Sequence, residues 1–591
     1  MKWMTAGMKN TKTILAVSVI SALLSACGGG GGGGGGNAGN GGNGGNGAGA
    51  SASGRMLAAD GAEVAALACS GNVCRLPASA GSAQSGSVYQ YTNTGAQAQT
   101  VSVSGSPLSA AWQMVVSRVS AGDTSRQAKL AASGLRGGSD AAAERLEAES
   151  QAVMAAVGAA ARSGALSLRG AGSHRLLAEQ ASLQAASYAI GDKRVWHDMD
   201  SDSATSLQAM RDLPNGGGKV YVWAQDGLDV SVGSDQADAL AERFANSVYP
   251  LEASVVSEPW GNDIDPGWRA LALPGDTKDV HLVLSRLNDP NQGGSGRLLG
   301  YVRWTNALLA SAAPAMCGGD QECRDVVGKS NQALATFVDL DTFAQADPGR
   351  NWNMKGNGPS LALSTLAHEY LHVLYAYNKI LRKPPGSGQP TVWENELAAQ
   401  TMGYLVSADT FTGGRGSDAN SHPDLRRGGD FESFLRRPAC NLKGWSVAAS
   451  NYTCYPKALA AGMQMLHQFG AGVMKPWVTG ANTGERALND GLRAVGAGDY
   501  GSLMLRLNTT LALGGNPANG YGFPAKTLSL PANQYFPNGK SLLLPAVPFD
   551  AQEIGWSPLA TAETYKQSLP LSRGVARVTV PANSHLLLVK P

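Results

Sequence analysis

The pentapeptide HEYLH at residues 368–372 carries side chains that can bind a metal ion and use it in catalysis. Residues four apart lie one turn above each other on an α-helix, so His368 and His372 face the same direction. Two neutral imidazoles can bind Zn²⁺, and the adjacent Glu369 carboxylate can accept a proton from water that the metal activates. The chain has only 8 histidines in 591 residues, so composition alone rarely produces this motif. The motif therefore predicts His368 and His372 as zinc ligands and Glu369 as the general base.

The sequence around the motif favours the helix that this geometry requires. Residues 361–380 contain no Gly or Pro, Pro359 and Ser360 suit the start of a helix, and Pro384 follows its end. Apolar residues surround the polar stripe of the motif. This pattern is typical of a buried helix that lines a cleft.

A catalytic zinc ion needs a third protein ligand and an open position for water. Residues 391–400, TVWENELAAQ, contain two carboxylates that could serve, Glu394 and Glu396. The alternative for both is a solvated charge on a helix surface, which the two-histidine motif upstream disfavours.

The combination of HExxH with a downstream W-x-N-E segment, here Trp393 to Glu396, resembles the gluzincin metallopeptidases. Within that group it is most similar to the hyicolysin family of secreted zinc endopeptidases. The resemblance covers residues 180–525 and includes Ser330 and Asn331 ahead of a predicted strand. It implies that Glu396 is the third zinc ligand, since the family usually has an apolar residue at the position of Glu394.

The same resemblance implies a thermolysin-like α+β catalytic domain. Strand-like segments at residues 219–223, 279–284 and 333–339 precede the HExxH helix, and mainly helical segments follow it, as an α+β domain requires. We expect a mixed sheet and the HExxH helix, followed by a mainly helical lobe, with small β modules at both ends of the chain.

The resemblance also implies supporting residues around the metal. Gluzincins commonly place a carboxylate four residues after the third ligand to orient a ligand histidine, and Gln400 stands there in this chain. A Gln oxygen can accept an imidazole N–H more weakly than an anion does.

Related enzymes supply an oxyanion donor from a downstream Tyr or His, and the candidates are Tyr452, Tyr455 and His467. For each of these three residues taken alone, a place on the surface or in the core with no part in catalysis is the simpler interpretation.

The cysteines indicate an oxidising compartment. Of seven, Cys27 stands apart, and the other six form three pairs that are close in sequence. Each pair would close a short loop, which is typical of disulfides in exported proteins, with free buried thiols as the alternative. The predicted disulfides are Cys69–Cys74, Cys317–Cys323 and Cys440–Cys454.

Residues 1–27 have the features of a bacterial export signal. A basic start precedes an apolar run at residues 14–24 that is too short to span a membrane stably. The run ends in LSAC, which resembles a lipobox, so we expect lipidation at Cys27, with an ordinary cleaved signal as the alternative. The residue after Cys27 is Gly28, not the Asp that retains lipoproteins at the inner membrane, so anchoring to the outer membrane or cell surface is predicted.

The remaining chain divides by composition. Residues 28–54 are Gly-rich and predict a disordered tether. We expect an N-terminal β module with a helical segment at 55–175, the zinc metallopeptidase domain at 176–525 and a C-terminal β module at 526–591. The N-terminal part could be a pro-segment, a binding module or a spacer. With a net charge of +2 and no basic stripe, nucleic acid is not an expected partner.

The sequence thus predicts a zinc-dependent metalloendopeptidase that hydrolyses peptide or protein substrates outside the cytoplasm. Two alternatives remain at this point. One is a catalytically inactive, adhesin-like surface lipoprotein, which the complete set of predicted ligands and base disfavours. The other is a zinc hydrolase of a non-peptide substrate, because the motif specifies water activation but not the bond that is cleaved.

Overall fold

The computed structural model describes residues 56–57, 62–119, 138–164, 166, 171–184, 187–199, 201–288, 298–344, 357–387, 390–412, 424–425, 429–438, 440–445, 454–514, 521–558 and 564–591. The predicted export signal, the lipidation site Cys27, the Gly-rich tether and Tyr452 lie outside these residues. In the described part of the chain, no helix is both long and apolar enough to cross a membrane.

Strands occur in three groups along the chain. They are β1 (Met56–Leu57), β2 (Glu63–Ala66), β3 (Ala68–Ser70), β4 (Val73–Arg75), β5 (Val88–Asn93), β6 (Gln99–Ser104), β7 (Gln113–Arg118), β8 (Lys193–His197), β9 (Asp202–Asp212), β10 (Lys219–Gln225), β11 (Val280–Ser285), β12 (Gly300–Tyr301), β13 (Leu334–Asp339), β14 (Lys526–Leu530), β15 (Lys540–Leu544), β16 (Thr564–Ser568), β17 (Leu571–Ser572), β18 (Val575–Val580) and β19 (Ser584–Val589).

Helices occur from residue 138 onward among the described residues, and they dominate between the second and third groups of strands. They are α1 (Gly138–Arg162), α2 (Ala171–Gln184), α3 (Ser234–Arg243), α4 (Tyr249–Val255), α5 (Ala313–Cys317), α6 (Gln321–Gly328), α7 (Leu340–Ala344), α8 (Asn357–Ala376), α9 (Val392–Thr412), α10 (Asp430–Arg436), α11 (Cys454–Phe469), α12 (Met474–Thr479), α13 (Glu485–Ala494) and α14 (Tyr500–Ala512).

The central sheet is mixed and has the order β12-β13-β11-β10-β9-β8. Strands β10, β11 and β13 are parallel, with Val220 opposite Val280 and Val280 opposite Leu334. Every residue of β11 and β13 is buried, as expected for parallel strands that are covered on both faces. The short edge strand β12 runs antiparallel to β13. The predicted α+β class is confirmed.

Helix α8 packs against β13, and the main helical core is built around it. Helix α9 packs against α8 on one side and α11 on the other. The contact between α9 and α11 is close because residue 462 is glycine: a Cβ there would lie 2.4 Å from Oγ1 of Thr401. The helix that carries the HExxH motif is therefore held between a sheet and a second buried helix, which restricts its movement.

The two small β modules predicted at the ends of the chain are not separate. Their strands form two shared sheets, with orders β1-β2-β5-β19-β7-β16 and β17-β18-β6-β4-β3. C-terminal β19 lies between N-terminal β5 and β7, and β18 pairs with β6 along its full length. The sheets share one core, so we call them the terminal β-sandwich. Neither end alone supplies enough strands to cover both apolar faces, which explains the association.

The predicted boundaries also change. Hairpin β14–β15, placed by the sequence in the C-terminal module, packs on α9 instead. Helix α1, placed in the N-terminal module, packs on α5 and α6, and its Val153 and Val157 are fully buried in the core that also contains the HExxH helix. The core around the HExxH helix therefore takes in helix α1 and the hairpin. The disulfide predictions are confirmed at all three pairs, Cys69–Cys74, Cys317–Cys323 and Cys440–Cys454.

Candidate metal centre

Helix α8 positions the three side chains of the HExxH motif. The apolar residues around them are fully buried and fix the rotation of the helix: Leu363, Leu366, Leu371 and Leu374. His368, Glu369 and His372 consequently project together toward a cleft, and each offers a ligand atom within 4.8 Å of the others. A His-Glu-His group of this kind could hold a metal ion.

Glu396, on the facing helix α9, joins the two histidines. Its Oε2 lies 3.2 Å from Nε2 of His368 and 3.8 Å from Nε2 of His372, and the two Nε2 atoms are 3.2 Å apart. Tetrahedral coordination at bond lengths of about 2.0–2.1 Å separates neighbouring ligand atoms by about 3.3 Å. The three donor atoms thus have the spacing that one tetrahedral metal ion requires. Oε2 of Glu396 has no geometrically acceptable hydrogen-bond donor among the described residues, so it is available as a ligand.

Glu394 lies on a different side of α9 and is fully buried in the core. Its Oε1 accepts a hydrogen bond from Nε1 of Trp477 at 3.2 Å, and Oε2 accepts one from the backbone N–H of Gly484. The structure therefore brings Glu396, and not Glu394, to the histidines, in agreement with the ligand that the family resemblance implies.

Asn395, between these two carboxylates, orients one imidazole. Its Oδ1 lies 2.9 Å from Nδ1 of His372. Because an amide oxygen can only accept, Nδ1 carries the proton and Nε2 keeps its lone pair toward Glu396 and His368. The sequence motif includes Asn395, but its role was not predicted.

Burial and mutual charge set the protonation of the four groups. Burial acts to raise the pKa of Glu396, but the two histidines outweigh it and lower that pKa. Burial lowers the pKa of His372, so both of these groups favour the deprotonated form that a metal ligand needs. Burial acts to lower the pKa of His368, yet Glu396 and Glu369 reverse the effect and raise it. Burial raises the pKa of Glu369 to about 8, opposed by the charge of His368.

The supporting contact predicted for Gln400 differs in the structure. Its side chain hydrogen-bonds Asp430 rather than a ligand histidine. Burial, and then the charge of Asp424, raise the pKa of Asp430 to about 7. Asp424 accepts a hydrogen bond from Ser364 on α8 at 3.3 Å, and its charge favours the protonated form of His368. The carboxylates of Asp424 and Asp430, near His368, thus come from the start of α10 and the residues before it. No rule of sequence spacing predicts this placement.

Of the three predicted oxyanion donors, one lies at the centre. The hydroxyl of Tyr455 hydrogen-bonds Glu396, and its ring lies 6.1 Å from that of His368. The Cys440–Cys454 disulfide directly precedes it. His467 is instead a core residue, with Nε2 2.8 Å from Oη of Tyr404 and Nδ1 2.8 Å from the carbonyl oxygen of Pro524. His467 is not among the described residues that line the cleft, and Tyr452 lies outside the described part of the chain.

The cleft beside these residues has a volume of about 190 Å³ and is bounded on one side by the edge strand β12. A Cβ at Gly300 would lie 2.8 Å from Cγ of Glu369 and 2.9 Å from the carbonyl oxygen of Phe337. Only glycine therefore allows the strand to approach the general-base candidate this closely. Helix α1, which the sequence placed in another module, also lines the cleft.

No protein-family model and no curated protein matches the sequence. Two imidazoles and one carboxylate converge on one point, a second carboxylate adjoins them, and a cleft gives access from outside.

Proposed function

We propose that the protein is a zinc-dependent metalloendopeptidase that hydrolyses peptide bonds. The observation that carries this proposal is the triangle of donor atoms from His368, His372 and Glu396, with sides of 3.2, 3.2 and 3.8 Å. Two imidazoles and one carboxylate are a donor set that suits zinc with one coordination position left open. A zinc ion bound there would supply a Lewis acid that polarises a carbonyl group and acidifies water.

Glu369 is the residue proposed to move protons. Its Oε2 lies 4.0 Å from Nε2 of His372, so the carboxylate borders the donor triangle without belonging to it. In that place Glu369 accepts the proton of the attacking water and passes it to the leaving amine. Its burial in the cleft keeps competing water away from this transfer.

Two further residues complete the proposed site. Asn395 holds His372 in the tautomer that leaves Nε2 free to bind metal. The hydroxyl of Tyr455, already at Glu396, is the proposed donor to the oxyanion that develops on the carbonyl oxygen.

The order of elements supports the gluzincin, thermolysin-like assignment. A mixed sheet precedes the HExxH helix α8, and the next long helix, α9, supplies the third ligand before a mainly helical lobe. The three disulfides favour an oxidising compartment. We therefore include export and lipid anchoring at Cys27, on the outer membrane or cell surface, in the proposal.

The test compares the wild-type protein with Glu369→Gln in metal content and in the hydrolysis of casein. We expect both proteins to bind zinc and the variant to lose activity by about a thousandfold, because general-base catalysis contributes roughly 10²–10⁴. Equal cleavage by the two proteins would contradict the mechanism. Zinc binding without casein cleavage, together with hydrolysis of a lipid or a non-peptide amide, would move the protein to another class of hydrolase.

A further inference from the structure

Helix α1 forms part of the wall of the cleft that holds the candidate metal centre. Its residues Leu146, Glu149, Ser150 and Met154 line the same cavity as His368. The helix is fixed there by its buried apolar face and by Ser150, whose Oγ accepts a hydrogen bond from Nε1 of Trp304 at 2.9 Å. Whatever binds in the cleft therefore meets α1 as well as α8 and α9.

The Arg303 side chain is buried in this wall and is only 7% exposed. Its Nη2 lies 3.0 Å from Oε2 of Glu149 on α1. Its Nε has no hydrogen-bond partner among the described residues. A buried N–H without an acceptor costs free energy that an incoming oxygen would recover. The Arg303 guanidinium thus has capacity to bind an acceptor from a ligand.

The position of Arg303 relates it to the proposed reaction. It follows β12 in an extended conformation, three residues after Gly300, which adjoins Glu369. Three extended residues span about 10 Å, which is also the length of two to three residues of an extended peptide. Arg303 therefore lies within reach of a substrate group two or three residues from the bond that is cleaved.

The charge of this wall favours an anion. Nε of Arg145 lies 3.7 Å from Oε1 of Glu149, so one carboxylate faces two guanidinium groups. At the metal centre, two positive charges on the ion would balance the carboxylates of Glu369 and Glu396. On the wall beside it, the guanidinium groups of Arg145 and Arg303 face the single carboxylate of Glu149, and Arg303 is the one that lines the cleft. A guanidinium binds a carboxylate in a bidentate manner that an amide cannot reproduce.

We propose that Arg303 is a specificity-determining residue that binds a carboxylate of the peptide substrate, and that Glu149 occupies its guanidinium in the free protein. This inference rests on the proposed peptidase function for the nature of the ligand. The carboxylate can come from an Asp or Glu side chain or from the free C-terminus of a peptide, and the experiment separates these two sources.

The experiment measures binding by calorimetry to the zinc-loaded Glu369→Gln protein, which separates recognition from hydrolysis. The probes are short acetylated, amidated alanine peptides that carry one Glu at successive positions, the same peptides with Gln, and one alanine peptide with a free C-terminus. We expect one carboxylate peptide to bind about tenfold more tightly than its amide counterpart. The additional change Arg303→Gln should abolish the difference. Arg211→Gln, at a surface pair with Asp238, is the matched control and should keep it.

A second variant keeps the proposal testable if the Arg303 variant does not fold. Glu149→Gln removes the internal carboxylate, so the affinity for the carboxylate peptide should rise severalfold and that for its amide counterpart should not. Equal binding of carboxylate and amide peptides, or a preference unchanged in both variants, would overturn the inference. A clear carboxylate preference without cleavage by the wild-type protein would support the role of Arg303 and contradict the proposed peptidase function.

Discussion

The candidate metal centre and the terminal β-sandwich both hold histidines with little exposure, but the direct partners of these histidines differ. At the metal centre, His368 and His372 lie within 4.0 Å of the carboxylates of Glu396 and Glu369. In the sandwich, His585 has Nδ1 2.9 Å from the Thr92 hydroxyl and Nε2 3.0 Å from the carbonyl oxygen of Gly501. The metal centre places carboxylates directly beside the imidazoles, whereas the direct hydrogen-bond partners of His585 are neutral.

This difference distinguishes the candidate metal centre from a buried structural histidine. Burial outweighs the hydrogen bond to Gly501 and the charge of Asp499, and it lowers the pKa of His585 to about 4. His281, which accepts a hydrogen bond from Trp223 in the central sheet, follows the same pattern, and burial lowers its pKa well below the usual value. Convergent carboxylates instead create a place for a cation. Burial alone therefore does not distinguish a functional histidine from a structural one, and the charge of the neighbouring groups is more informative.

The largest effect is expected from a substitution that displaces the carboxylate of Glu369. In Gly300→Ala the new methyl group would overlap Cγ of Glu369 and the backbone of β13, so the proposed general base must move. We expect the rate of peptide hydrolysis to fall by at least about a hundredfold, because displacements near 1 Å cost that much. Gly328→Ala is the control, since a Cβ there meets nothing within 4 Å. Full activity of Gly300→Ala would show that the close approach of β12 has no catalytic role.

The burial of His585 predicts a pH-dependent stability. Its folded-state pKa of about 4 lies below the ordinary value of 6.5. The contribution of His585 to the free energy of unfolding is therefore fully present above pH 6.5. It is lost as the pH falls toward 4, because the unfolded state binds the proton first. The shift corresponds to about 3 kcal/mol at pH 4. Denaturant unfolding between pH 7 and 4 should show a shallower decline for His585→Gln, and an identical decline would contradict this account.

A smaller effect is expected from the residue that orients His372. Asn395→Ala removes the acceptor at Nδ1 but leaves all three donor atoms of the metal centre. We expect zinc affinity to fall by about tenfold to a hundredfold, as for other residues that support a metal ligand. Competition with a chelator measures this loss. Asn395→Asp retains an acceptor and should bind zinc more tightly than the alanine variant; an equal loss in both would mean that the hydrogen bond has no such role.

Local spacing made the centre of the site predictable. The i, i+4 relation of His368 and His372 sets their common direction on any helix, so sequence alone placed them together. The residues at 394 and 396 differ by about 200° around a helix with 3.6 residues per turn, so one faces the cleft when the other faces the core. Packing against α8 and α11 determines the orientation of α9, and that orientation decides which of the two residues faces the cleft.

Non-local contacts account for what the sequence did not reveal. The terminal β-sandwich pairs strands from opposite ends of the chain, such as β5 with β19, and alternation of apolar residues identifies a strand but not its partner. Helix α1 was predicted only as part of an N-terminal helical segment, and its place in the wall of the cleft was not predicted. Asp424 and Arg303 belong to no motif, and only their position in the fold brings them to the site.

The central claim is that Glu396, with His368 and His372, holds a catalytic metal. Its most direct test is the zinc content of the purified wild-type, Glu396→Ala and Glu394→Ala proteins, with circular dichroism to confirm folding. The account predicts one zinc per wild-type chain, loss of zinc in Glu396→Ala, and retention in a less stable Glu394→Ala protein. Retention of zinc in Glu396→Ala with its loss in a folded Glu394→Ala protein would contradict the account.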